Sequence, residues 1–125
     1  MSVLRRYFNW LQRDNPVGEV IHYPKVAQDV STQIPGLYLA GDITGLPLLK
    51  FAAKQGHETV DLIKQWLAQS PRKDGCLDLV IIGAGAAGLA AALRAKEQGL
   101  DYIVLEASRV ANTIANFPAG KLIYA

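Results

Sequence analysis

Apolar positions change period several times along this chain, and each change marks an element. Leu4, Tyr7, Phe8 and Leu11 recur at i, i+3, i+4 and i+7, which predicts a helix over residues 3–12, stopped by Asp14-Asn15-Pro16. Such a stripe suits a helix packed on the body. With Arg5, Arg6 and Arg13 beside it, a docking face for a partner or a membrane surface is the other reading. Glu19-Val20-Ile21-His22-Tyr23 has the makeup of a short strand, closed by Pro24. Leu37-Tyr38-Leu39-Ala40 is apolar throughout and bounded by Gly36 and Gly41, which predicts a buried parallel strand. Over residues 47–68, Leu49, Ala52, Gly56, Val60, Ile63 and Leu67 share one helical face, with Pro47 in the first turn. Ser70 to Gly75 is a polar linker.

The second half is more regular. Leu77-Asp78-Leu79-Val80-Ile81-Ile82 predicts a strand, residues 86–98 an alanine-rich helix closed by Gly99, and Tyr102-Ile103-Val104-Leu105 a second strand. Together they make a βαβ unit with a right-handed crossover. Residues 108–125 have no clear period. The chain stops inside Lys121-Leu122-Ile123-Tyr124-Ala125, which reads as the start of a strand, so a fragment is expected.

Composition narrows the classes. A chain of 125 residues suits one domain, since domains commonly hold about 100–150. At 50% hydrophobic and 19% charged, it reads as folded and soluble. A net charge of +2 with scattered Lys and Arg argues against nucleic acid as a partner. Cys76 stands alone, so no internal disulfide forms, a two-cysteine redox centre is excluded, and the chain reads as intracellular, most simply cytoplasmic. The longest apolar stretch, Leu79 to Leu93, falls short of the roughly 20 residues a bilayer needs, so no transmembrane segment is expected, and no signal peptide opens the chain. His22 and His57 are isolated, and no metal site is expected. Cys76 reads as a small apolar residue at the start of the strand, His57 as solvated, and Trp10 and Trp66 as apolar anchors.

The candidate chemistry begins at Gly83-Ala84-Gly85-Ala86-Ala87-Gly88. Strand, G-x-G-x-x-G, helix, strand and acid form a dinucleotide fingerprint. Gly83 turns off the strand, Gly85 lets a pyrophosphate reach the backbone, and Gly88 lets helix and strand pack closely. Ala86 and Ala87 open the helix, whose N-terminus offers unpaired N–H groups and positive dipole to phosphates. Glu106, 18 positions after Gly88, ends the second strand, where a carboxylate accepts both hydroxyls of an adenosine ribose and repels a 2′-phosphate. A glycine-rich turn without ligand explains the glycines less well and leaves Glu106 unexplained. The expected fold class is therefore α/β, with a short, incomplete, parallel Rossmann-like sheet. Its core strands are 37–40, 78–82 and 102–105, flanked by helices 47–68 and 86–98, in one domain over 1–125 built from 1–70 and 76–125.

The second motif precedes the first. Thr32-Gln33-Ile34-Pro35-Gly36-Leu37-Tyr38-Leu39-Ala40-Gly41-Asp42, with Lys50-Phe51-Ala52-Ala53-Lys54-Gln55-Gly56 behind it, resembles the closing FAD motif of thioredoxin reductase-like pyridine nucleotide-disulfide oxidoreductases. The likeness covers residues 31–64. The glycine loop, continued by Ala92, Gly99 and Glu106, resembles the FAD/NAD-binding loop of the same flavoproteins, where it normally comes first. The resemblance implies FAD as cofactor. It places Asp42 on the ribitol or phosphate side and the start of the following helix at the pyrimidine edge of the flavin, while Gly41, having no side chain, lets the backbone approach the ligand. Alone, Asp42 reads equally well as a cap of that helix.

No second glycine loop and no Cys-x-x-Cys pair is present. The expectation is thus the FAD-binding portion of a flavin-dependent NAD(P)H oxidoreductase. The parent would bind NAD(P)H, and this chain alone would have no catalytic residues and no activity. Two other readings stand: a non-catalytic nucleotide-binding or interaction module, and an NAD-binding domain, which leaves the Gly-Asp motif unexplained. The small sheet invites completion by a homodimer, by strand exchange or by missing domains. Asn112, Thr113 and Asn116 sit in a loop that would flank the flavin.

Overall fold

The computed structural model describes Tyr7, residues 22–69 and residues 74–123. Tyr7 is helical and exposed, but the rest of the helix expected over 3–12, with Trp10, lies outside the described residues, as does most of the strand expected at 19–23. His22 and Tyr23 are irregular. The described elements are a 3-10 turn at Asp42–Thr44, helix α1 at Leu49–Gln69, strand β1 at Leu79–Ile82, helix α2 at Ala86–Glu97, strand β2 at Tyr102–Leu105 and a one-turn helix α3 at Asn112–Ala115.

The βαβ unit forms as its pattern predicts. Strands β1 and β2 pair in parallel, from Leu79↔Tyr102 to Ile82↔Leu105. Helix α2 ends in a Schellman motif: the Leu100 N–H donates to the Ala95 carbonyl and the Gly99 N–H to the Lys96 carbonyl, with Gly99 at φ +68°. The expected α/β class is therefore present, as a two-stranded parallel sheet flanked by helices.

The strand expected at 37–40 does not join that sheet. Pro35 and Gly36 (φ +81°) occupy the centre of a turn closed by the Leu37 N–H on the Ile34 carbonyl at 3.0 Å. This folds 37–39 back on 30–32, where Thr32 donates to Leu37, Leu39 donates to Val30, and Ser31 bridges Tyr38 in antiparallel sense. The segment spends its backbone groups on this local hairpin, and Leu37 stays exposed. A cavity of about 160 Å³ lies between residues of 36–40 and the facing edge of β1.

Helix α1 buries the face its spacing predicts, through Ala52, Gly56, Val60 and Ile63, with Thr59 added. Pro47 stands before the helix, in a tight turn closed by the Leu48 N–H on the Leu46 carbonyl, rather than in the first turn. Helices α1 and α2 cross where Gly56 meets Ala87: a Cβ on Gly56 would overlap the Ala87 carbonyl. Beyond this crossing, Arg94 grips Asp61 at 2.8 and 3.1 Å, and Gln98 reaches Asp61 at 3.3 Å. Among the described residues Val30, Ala52, Val60, Ile63, Ile81, Ala84 and Ala95 are the buried apolar side chains of a small core.

One face of the sheet is open. Val80, Ile82, Ile103 and Leu105 are exposed, and the register sets Val80 beside Ile103 and Ile82 beside Leu105. Three further expectations are corrected. Trp66 is half exposed rather than an anchor, Cys76 is exposed rather than part of the strand, and Lys121–Ile123 are irregular and exposed rather than extended in a sheet. No described helix is long and apolar enough to cross a membrane, and no described His, Cys, Asp and Glu side chains group as metal ligands.

Candidate dinucleotide-binding site

The glycine loop leaves β1 through Gly83, whose φ of +97° favours glycine and whose N–H donates to the Leu105 carbonyl at 2.7 Å. Gly88 packs so tightly that a Cβ would overlap the Gly83 carbonyl and stand 3.4 Å from Ile81 Cγ2. Nothing lies within 4 Å of a Cβ built on Gly85, so the backbone there is open to approach. The first intrahelical bond of α2 runs from the Leu89 N–H to the Gly85 carbonyl at 2.9 Å. The amides of Ala86, Ala87 and Gly88 therefore have no intrahelical acceptor.

Glu106 is tied to this loop. Its Oε2 accepts the Ala84 N–H at 2.6 Å and its Oε1 accepts the Ser108 N–H at 2.9 Å. The Ala84 bond first, then the Ser108 bond, hold its carboxyl below the usual carboxylate range. Glu106 is exposed, so the anion is presented at the C-terminal end of β2 with its orientation fixed. The chain then returns over the loop, and the Ala111 N–H donates to the Ala84 carbonyl at 2.9 Å.

The Gly-Asp motif lies against the same loop. Gly41 adopts φ +92°, ψ −155°, a region almost confined to glycine. A Cβ there would come 3.0 Å from the Ala87 Cβ. Asp42 opens the 3-10 turn and is exposed, and its carboxylate makes no hydrogen bond or ion pair among the described residues. It does not cap α1, which begins only at Leu49.

Both motifs line one cavity of about 570 Å³: Gly41 and Asp42 on one side, and Gly83, Gly85 and Ala86 to Gly88 on the other. Glu106 is not on its wall and is joined to it through the loop. Thr113 lines the cavity, whereas Asn112 and Asn116 bond to each other and do not. The structure adds Ile43, Phe117 and Lys121, with the Lys121 ammonium 3.9 Å from the Phe117 ring centroid. No periodicity marks residues 108–123, so no pattern in the sequence points to Phe117 or Lys121.

Residues 80–123 match the family profile described as pyridine nucleotide-disulphide oxidoreductase. Over 45 residues the chain is 53% identical to a thioredoxin reductase of Ureaplasma parvum serovar 3, and over 45 residues it is 40% identical to the bacilliredoxin reductase Bdr of Bacillus subtilis. Each alignment takes in 36% of this chain, but only 12% of the first relative and 14% of the second. No solved structure matches the chain.

Proposed function

We propose that this chain is the FAD-binding portion of a flavin-dependent NAD(P)H oxidoreductase resembling thioredoxin reductase, a reading supported by the match of residues 80–123 to the pyridine nucleotide-disulphide oxidoreductase profile. The observation that carries the reading is the convergence of the two motifs on one cavity despite their reversed order. At about 570 Å³ it falls within the usual range for cofactor sites, roughly 300–1,000 Å³, and it lies at the C-terminal end of β1, where α/β sheets take ligands.

The residues fit such a group. The amides of Ala86, Ala87 and Gly88, which have no intrahelical acceptor, receive the pyrophosphate with the dipole of α2, and the open backbone at Gly85 admits it. Glu106 accepts hydroxyls of the adenosine ribose from a fixed position. Asp42, at the far wall and without a partner among the described residues, accepts a ribitol hydroxyl. FAD supplies the two-electron chemistry when bound, and this chain binds, orients and partly screens it. NAD(P)H would be held elsewhere in a longer parent. The domain is the whole chain, with 1–70 and 76–125 as the two halves of one site. An NAD-binding domain would use the glycine loop and Glu106 but gives Asp42 no task on the shared cavity.

Quenching of flavin fluorescence on titration with the chain tests this reading, with ADP and NAD⁺ as competitors. FAD should bind and ADP should displace it, while Asp42→Ala should weaken FAD and leave ADP unchanged. NAD⁺ binding tighter than FAD, or indifference to Asp42→Ala, would overturn it.

A further inference from the structure

Among the described residues no sheet ladder holds the Gly-Asp turn, yet its backbone is fixed from the helix that follows. Gln55 lies in the second turn of α1, and its Oε1 accepts the Gly41 N–H at 2.9 Å. The Thr44 hydroxyl stands 3.2 Å from the same oxygen and 2.8 Å from the Gly41 carbonyl. Because the Gly41 N–H is a donor, the atom facing it must be the amide oxygen. The next residue, Gly56, presses on the Ala87 backbone at the start of α2. A continuous path thus runs from the glycine loop through Gly56 and Gln55 to Gly41 and Asp42.

We propose that Gln55 is a positioning residue that sets the Gly41-Asp42 turn, and so selects the flavin end of the ligand without touching its adenosine end. This rests on the FAD reading given above. Only the acceptor on Gln55 serves the turn, so Gln55→Glu keeps the role and Gln55→Met, of similar length, removes it.

Two readouts on the full chain test the role. The first is exchange of the Gly41 amide, followed by NMR without any ligand. It should be slow in the wild type and fast in Gln55→Met, and an unprotected Gly41 amide in the wild type overturns the brace even if the Met variant does not fold. The second is the affinity for FAD against that for ADP. Gln55→Met should bind FAD about tenfold more weakly, the scale of one neutral hydrogen bond, and ADP as before, with Gln55→Glu restoring slow exchange and FAD binding. Equal losses for FAD and ADP, or no loss, overturn the role while the FAD site stands. A wild type that binds ADP but not FAD, or neither, overturns the site reading and this role together, whatever the exchange data show.

Discussion

The two halves of the chain reach the same cavity by different means. The glycine-loop half is built by regular backbone pairing: β1, α2 and β2 follow in sequence, and the loop is fixed between Gly83, Leu105 and Glu106. The Gly-Asp half has no such ladder. Its turn is placed by a local hairpin, by Gln55, and by the fit of Gly56 and Gly41 against Ala87. One half of the site thus depends on covalent neighbours, and the other on how closely two helices approach.

The sharpest way to break this comparison is Gly56→Ala. Its Cβ would overlap backbone rather than a flexible side chain, so α1 must move away from α2. Overpacking of this kind costs about 1–3 kcal/mol, and each kcal/mol lowers Tm by about 4–8 °C in a domain of roughly 60–100 residues. Thermal denaturation should show this, with Asp42 losing its place before the βαβ unit melts.

Glu106→Gln comes next. It keeps the shape but weakens the hold on the Ala84 amide, and FAD and ADP affinity should both fall about tenfold, the effect of losing a charged acceptor. Its pH dependence has a definite sign. The folded carboxyl titrates below its unfolded value of about 4.3, so its stabilisation is complete above that pH and is lost as pH falls through the folded value. The Tm gap between wild type and Glu106→Gln should close in acid, and a gap that widened would be the wrong sign.

How far the sequence foretold this architecture follows the same division. The βαβ unit was legible because period, glycine spacing and the terminal acid all pointed one way. The buried face of α1 was legible for the same reason. The strand at 37–40 was misread because a short apolar run looks alike in a sheet or in a hairpin; the Pro35-Gly36 dipeptide was the turn signal that decides it. Gln55 stood inside the helical stretch behind the Gly-Asp motif, but its hold on Gly41 exists only once α1 is in place. Lys121 and Phe117 had no pattern to announce them, since each gains its place only when the tail folds over the cavity.

Smaller effects sharpen the contrast. Asp61→Asn removes the partner of Arg94 across the two helices. It should lower Tm modestly, and the difference should shrink as salt rises, because the pair is partly exposed. Least of all, Val80→Thr with Ile103→Thr on the open sheet face should change stability within about 0.5 kcal/mol. A clear loss in the isolated chain would mean that this face is covered in solution, a result that sedimentation of the two proteins would check.

The central claim is that two motifs in reversed order serve one flavin site, and the visible spectrum of the purified chain tests it most directly. After addition of FAD and desalting, the wild type should keep the yellow flavin band, and Asp42→Ala and Glu106→Ala should each lose it. A folded chain, by circular dichroism, that keeps no flavin, or one whose band survives both substitutions, would contradict the account.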